Sequence, residues 1–130
     1  MSELVFFDSH GQVVALKADD DDVLFRWNGT PVAILDDESV SDESVSVYAF
    51  DGRHLGWFGD GWIRDHDGAC VYYTDDARGG PVRAARGRPR RARGTPKVPR
   101  ARGARQLPPP HRPNQRVWSP LAVCSAFFDS

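Results

Sequence analysis

The chain has 130 residues, room for one domain, and its apolar share of 40% excludes a polypeptide that is disordered throughout. Its net charge of −1 hides a division. Residues 1–76 carry four Lys or Arg against seventeen Asp or Glu, whereas residues 77–130 carry thirteen against one, so an acidic body precedes a basic tail.

Eleven of the fourteen aromatic residues precede Asp76, and only Trp118, Phe127 and Phe128 follow Val117. A core therefore forms from the first part, with the last stretch as its one source of help. A body of this size is close to the lower limit for folding without staples.

In chain order, the first 75 residues repeat. Phe7-Asp8-Ser9-His10-Gly11-Gln12-Val13-Val14-Ala15-Leu16 aligns with Arg26-Trp27-Asn28-Gly29-Thr30-Pro31-Val32-Ala33-Ile34-Leu35, then with Ala49-Phe50-Asp51-Gly52-Arg53-His54-Leu55-Gly56-Trp57-Phe58, and then with Asp65-His66-Asp67-Gly68-Ala69-Cys70-Val71-Tyr72-Tyr73. Each unit is an apolar strand, a turn ending in glycine, and a second apolar strand. Asn-Gly and Asp-Gly suit two-residue hairpin turns, which predicts four hairpins with tips at Gly11, Gly29, Gly52 and Gly68. The connections 19–22, 36–44 and 59–61 are acidic or glycine-rich, as solvent-facing loops are.

Ala15, Ala33 and Gly56 fall four residues after their turn glycines, where a small side chain lets neighbouring units approach an axis; Tyr72 breaks the series. One hairpin is marginal alone, so four must pack together. The expected fold is all-β, four sequential β-hairpins in a pseudo-fourfold flower-like array; an irregular small sheet is the alternative.

The turn series, above all Asp51-Gly52-Arg53-His54-Leu55-Gly56-Trp57-Phe58 followed by Gly61-Trp62-Ile63-Arg64-Asp65-His66-Asp67-Gly68, resembles the four-fold β-flower family of small bacterial proteins. The resemblance covers Leu4 to Thr74 and extends through a basic, proline-containing tail to the aromatic end. It implies the fold and a bacterial origin, and carries no established activity with it.

Residues 78–116 are dominated by Gly, Pro, Arg and Ala and contain no aromatic, so burial cannot offset chain entropy and a disordered linker is expected. From Val117 the sequence is apolar again. Ser119 before Pro120 suits a helix start, with Leu121, Cys124 and Phe128 on one face. Three parts follow: a four-hairpin domain over 1–77, the linker over 78–116, and an apolar C-terminal segment over 117–130 that packs back on the domain.

The sharpest local motif is Arg86-Gly87-Arg88-Pro89-Arg90-Arg91, similar to the AT-hook, whose extended Arg-Gly-Arg segment suits a narrow, electronegative minor groove. A tail of this composition also spells that core by chance, and its arginines can contact nucleic acid nonspecifically or lie along the acidic body. Arg105 to Pro113 resembles a proline-rich ligand, with His111 where the second anchoring proline belongs, and reads as a spacer.

Asp19-Asp20-Asp21-Asp22 lacks the ligand spacing of a calcium loop and reads as a solvated connection. Asp65-His66-Asp67, His54 and His10 sit near turn tips that a fourfold arrangement could bring together, although turn chemistry alone accounts for them. Trp27, Trp57 and Trp62 are read as core rather than as a recognition surface.

No nucleophile and base stand in a recognisable context, so no catalytic, metal or cofactor residue is assigned. The function expected is a non-enzymatic protein-interaction module with an unidentified protein partner; the alternative is nucleic-acid binding through Arg86–Arg91. No uncharged apolar run approaches the roughly 18 residues of a membrane span. The Met-Ser-Glu-Leu start has no leader character, so a cytoplasmic place and reduced Cys70 and Cys124 are expected, a disulfide between them being left open.

Overall fold

The computed structural model describes residues 4–17, 22–36, 45–75, 77, 79–81, 83, 113, 115–122, 127 and 128. Eight strands pair in sequence order: β1 (Leu4–Phe7), β2 (Val13–Lys17), β3 (Val23–Phe25), β4 (Pro31–Asp36), β5 (Val45–Tyr48), β6 (His54–Gly59), β7 (Trp62–Arg64) and β8 (Cys70–Tyr73). All pairs are antiparallel, and β8 returns to β1 through Phe7 and Tyr73, closing a barrel without a free edge.

The fourfold repeat holds at the level of single residue pairs. Phe6 faces Ala15, Leu24 faces Ala33, Val47 faces Gly56 and Ile63 faces Tyr72, and in each hairpin the next pair tipward skips one residue of the returning strand. The skipped residues are Val14, Val32, Leu55 and Val71, all apolar. A bulge bends its strand, and here it turns both the skipped residue and its successor toward the barrel interior. Val14, Ala15, Leu55, Val71 and Tyr72 accordingly belong to one buried cluster.

The tips differ from the two-residue turns expected at the repeat glycines. Gly11 N–H donates to the Asp8 carbonyl and Asp8 N–H to the Gln12 carbonyl, and the same two bonds recur at Arg26/Gly29/Thr30, Ala49/Gly52/Arg53 and Asp65/Gly68/Ala69. Each tip is a three-residue loop ending in a glycine at φ between 76° and 97°, a type I turn closed by a left-handed residue. The N–H after each glycine is then caught by a side-chain oxygen: Gln12 by Asp8, Thr30 by Asn28, Arg53 by Asp51 and Ala69 by Asp65. The two-residue turn lies between units instead, where Asp60 (φ 54°) and Gly61 (φ 84°) join β6 to β7.

Asp8 is fully buried, and its Oδ1 also accepts from His10 N–H. Asp8→Ala strips two backbone donors of their acceptor, and about 2 kcal/mol of stability should be lost. Equilibrium urea unfolding checks this, with Asp8→Asn, which keeps an acceptor, expected to recover most of the loss.

Trp62 is fully buried and Trp57 nearly so, in line with the core reading, while Trp27 is half-buried. No helix occurs among the described residues. At the predicted helix start, Ser119 Oγ accepts from Leu121 N–H and the Ser119 carbonyl from Ala122 N–H, so the proline step makes a turn; residues 123–126 lie outside the described residues.

Candidate functional site

Adjacent hairpins meet at four equivalent pairs: Leu16 with Phe25, Ile34 with Tyr48, Trp57 with Arg64, and Tyr73 with Phe7. Tipward of these pairs no further strand pairing joins one hairpin to the next among the described residues. The hairpins therefore part like petals and leave clefts between them.

The cleft between the fourth and first hairpins is filled by the C-terminal segment. Cys70 N–H donates to the Val117 carbonyl and the Cys70 carbonyl accepts from Ser119 N–H, a parallel strand-like bridge. On the opposite side Ser9 N–H and Oγ both donate to the Ala122 carbonyl, at 2.9 and 2.6 Å. Arg64 Nη1 donates to the carbonyls of Gly68 and Gln115 and lies 3.2 Å from Cys70 Sγ. The Gln115 side chain in turn donates to the Asp67 carbonyl. Cys70 is a buried free thiol whose pKa is raised by desolvation, the Arg64 guanidinium opposing; its Sγ lies 3.5 Å from the Gln115 carbonyl, so side chain and backbone both touch the segment.

Phe127 reaches further in. It is fully buried, its ring is 5.8 Å from Tyr72 edge-on, and it comes within 3.1 Å of the point where a Cβ on Gly56 would stand. The small residues Ala15, Ala33 and Gly56 leave room around the axis, and Tyr72 and Phe127 occupy it. This is why Tyr72 departs from the small-residue series.

Two clefts flanking the third hairpin are open among the described residues. Between the second and third hairpins, a groove of about 460 Å³ is lined by Arg26, Thr30, Pro31, Phe50, Arg53 and Phe128 among others. Between the third and fourth, one of about 360 Å³ is lined by Arg53, His54, Leu55, Asp65, His66, Asp67 and Leu121. Arg53 borders both, and its Nε donates to Asp51 Oδ2 at 2.8 Å. The backbone N–H of Arg53, more than its side chain, holds the exposed Asp51 carboxyl below the ordinary aspartate pKa.

In the second groove a histidine of the third hairpin meets one of the fourth. His54 Nδ1 and His66 Nε2 are 2.9 Å apart and share a hydrogen bond, with the rings nearly parallel at 12°. His54 is buried, with Tyr48 and Trp57 edge-on to its ring. Burial first, and the neighbouring His66 second, lower its pKa to about 4. His10, at the first tip, does not join them. Among the described residues no group of three or more His, Cys, Asp or Glu is placed to hold a metal ion.

The His54 shift sets the sign of a pH effect. The unfolded chain takes up the proton near pH 6.5 and the folded chain only near 4, so His54 contributes fully above pH 6.5 and its contribution is lost as pH falls toward 4. The loss is on the order of 3 kcal/mol. Comparing urea midpoints at pH 7 and pH 4.5 checks it: His54→Gln should show a visibly smaller acid decline than the unaltered chain, and an equal decline in both would refute the assignment.

Sequence reasoning brought His54 and His66 forward together, but not the clamp formed by Ser9, Arg64 and Gln115, whose partners are 45 to 113 residues apart and carry no local signature. Arg86, Gly87, Arg88, Pro89, Arg90 and Arg91 lie outside the described residues, as does Cys124. No described helix is long and apolar enough to cross a membrane.

No curated protein and no solved structure matches the chain. The family described as 4-fold beta flower protein matches residues 5–128, taking in the barrel and the aromatic end alike. Four equivalent hairpins, four equivalent bulges and that match agree: the chain belongs to the 4-fold beta flower protein family.

Proposed function

We propose that this barrel is a non-enzymatic protein-interaction module that takes extended polypeptide segments into the clefts between its hairpins. The observation that carries the reading is the filled cleft, where Val117–Ser119 is held through main-chain bonds on both sides of Cys70. Strand addition supplies affinity from backbone groups and specificity from side-chain seats such as the one Phe127 fills. The two open grooves offer the same ingredients on either side of Arg53: apolar walls from Phe50, Phe128 and Leu121, and a guanidinium that favours carboxylate-bearing segments. A cytoplasmic setting is part of the proposal and suits the free Cys70 thiol.

Selection of displayed random peptides on the full chain tests it. Peptides enriched over a denatured-protein control should be acidic and apolar, and Arg53→Glu should weaken them at least tenfold, about 1.4 kcal/mol. Failure to enrich any, or binding indifferent to Arg53, would sink the reading.

A second reading rests on the charge division. With thirteen basic residues and one acidic residue after Asp76, the tail suits nucleic acid, with Arg86–Arg91 as the recognition element. Fluorescence anisotropy on A/T-rich and G/C-rich duplexes across a salt series separates recognition, in which an A/T preference survives moderate salt, from diffuse attraction, in which both duplexes bind equally and release together.

A further inference from the structure

We propose that the groove between the second and third hairpins binds a phosphate monoester carried on an aromatic ring, the group that a phosphorylated tyrosine side chain or a free aryl phosphate presents. This rests on the reading of the open grooves as binding sites and names the chemistry that one of them selects.

The molecule departs from its own repeat at this groove. Three residues before the turn glycine, the first and fourth hairpins carry Asp8 and Asp65, buried carboxylates that accept from the backbone of their own loops. The second and third hairpins carry Arg26 and Ala49 there, and their loops are capped instead from the residue before the glycine, by Asn28 and Asp51. With the cap moved to the tip, both of the equivalent positions line the groove. Where the other hairpins place an acid, this groove has a guanidinium on one wall and a methyl group on the other. The bulge residues follow the same pattern: Val14, Leu55 and Val71 are buried, whereas Val32 is half-buried on the groove wall.

The charges are equally uneven. Residues 1–76 contain four basic side chains against seventeen acidic ones, and two of the four, Arg26 and Arg53, line this groove, with Asp51 as its one acidic side chain among the described residues. The groove on the other side of Arg53 has the reverse balance, with Asp65 and Asp67 against the same guanidinium. A carboxylate is satisfied by one bidentate arginine, which Arg53 can supply from either side. A phosphate monoester has three free oxygens and a charge of about −1.5 to −2, and only this groove brings a second guanidinium, from Arg26, together with the Thr30 hydroxyl. Arg53 and its partner Asp51 are 44% and 59% exposed, and so exposed an ion pair is weak enough for a dianion to replace. The aromatic ring has apolar wall from Pro31, Phe50 and Phe128, in a volume of about 460 Å³, which lies within the roughly 300–1,000 Å³ of small-ligand sites.

Phenyl phosphate, benzoate and inorganic phosphate are titrated in turn into the ¹⁵N-labelled full chain, and the amides of Thr30, Val32 and Arg53 are followed, so that attraction to the arginines after Asp76 does not enter the readout. Phenyl phosphate should shift these amides saturably and bind at least tenfold more tightly than benzoate or inorganic phosphate. Arg26→Gln and Arg53→Gln should each weaken it at least tenfold, about 1.4 kcal/mol. Asp51→Asn keeps an acceptor oxygen for the loop and removes the competing charge, so it should bind phenyl phosphate more tightly, a change that loss of structure does not produce. A peptide with one phosphotyrosine among apolar residues separates the two sources: tighter binding than phenyl phosphate assigns the site to a modified segment, and equal binding assigns it to a free aryl phosphate.

Benzoate binding as tight as that of phenyl phosphate, shifts confined to residues outside the groove, or affinity unchanged in both arginine variants would each overturn the proposal. Peptides bearing only carboxylates can still be enriched by the chain in any of these cases, so this proposal and the segment-binding reading fail separately.

Discussion

Phe127→Ala is expected to destabilise the protein by about 3–5 kcal/mol, the range for emptying a buried aromatic site. The ring is fully buried, stands edge-on to Tyr72, and borders Phe128 at 5.8 Å. It closes the axis of a barrel whose inward positions Ala15, Ala33 and Gly56 contribute almost no volume. Gly56 and Tyr72 cannot collapse into the gap, because each belongs to a strand tied on both sides in a closed sheet. Urea unfolding followed by far-UV circular dichroism measures the loss, and tryptophan emission adds a local readout, since Trp118 packs on Trp62 in the same segment. Phe127→Leu, which refills part of the volume, should recover about half. A loss below about 1 kcal/mol for the alanine variant would mean that the axis is not filled by this ring.

Gly56→Val should be more damaging still. A Cβ at this position overlaps the carbonyl oxygen of Arg64, a backbone atom of the neighbouring β7, and also meets the Phe127 ring. Relief requires β6 and β7 to separate where Trp57 pairs with Arg64, and that breaks the junction between the third and fourth hairpins. Ordinary overpacking costs about 1–3 kcal/mol, and a backbone clash in a closed barrel should exceed that range. The folded fraction at 25 °C, read from near-UV circular dichroism, should fall sharply for Gly56→Val and less for Gly56→Ala. Substitutions at Ala15 or Ala33 to Gly, which create no clash, should cost about 1 kcal/mol. If Gly56→Val folds with unaltered stability, the close approach of the two strands at this point is refuted.

The repeat was legible in the sequence because glycine, turn-forming residues and apolar strands recur together, and the alignment of Ala15, Ala33, Gly56 and Tyr72 places the four residues that face equivalent partners across their hairpins. The turn class was misread. Asn28-Gly29 and Asp67-Gly68 suit a two-residue loop, but a bulge three residues after each glycine changes the count, and the loops open to three residues with only the glycine left-handed. A bulge leaves no mark in composition, so this could not be seen locally. The clefts were hidden for a different reason. They arise where strand pairing between hairpins stops, and the clamp at Ser9, Arg64 and Gln115 joins residues that no periodicity links. His54 and His66 could be suspected from turn position, whereas their direct bond and the burial of one ring depend on which petals adjoin.

Each strand of the barrel pairs with the strand next to it in sequence, apart from the single Phe7–Tyr73 closure. For folding, this means that nearly all of the sheet can be assembled by closing short loops one after another, at little entropic cost per step. The docking of residues 115–122 is unlike this, because the bonds of Ala122 to Ser9 close a loop of 113 residues and that of Gln115 to Cys70 one of 45. A slow final phase should therefore belong to the segment and not to the sheet. By the same measure the segment is the first part to leave, so amide exchange at Cys70 and Ser119 reports a partial opening that the strands of the second and third hairpins do not share.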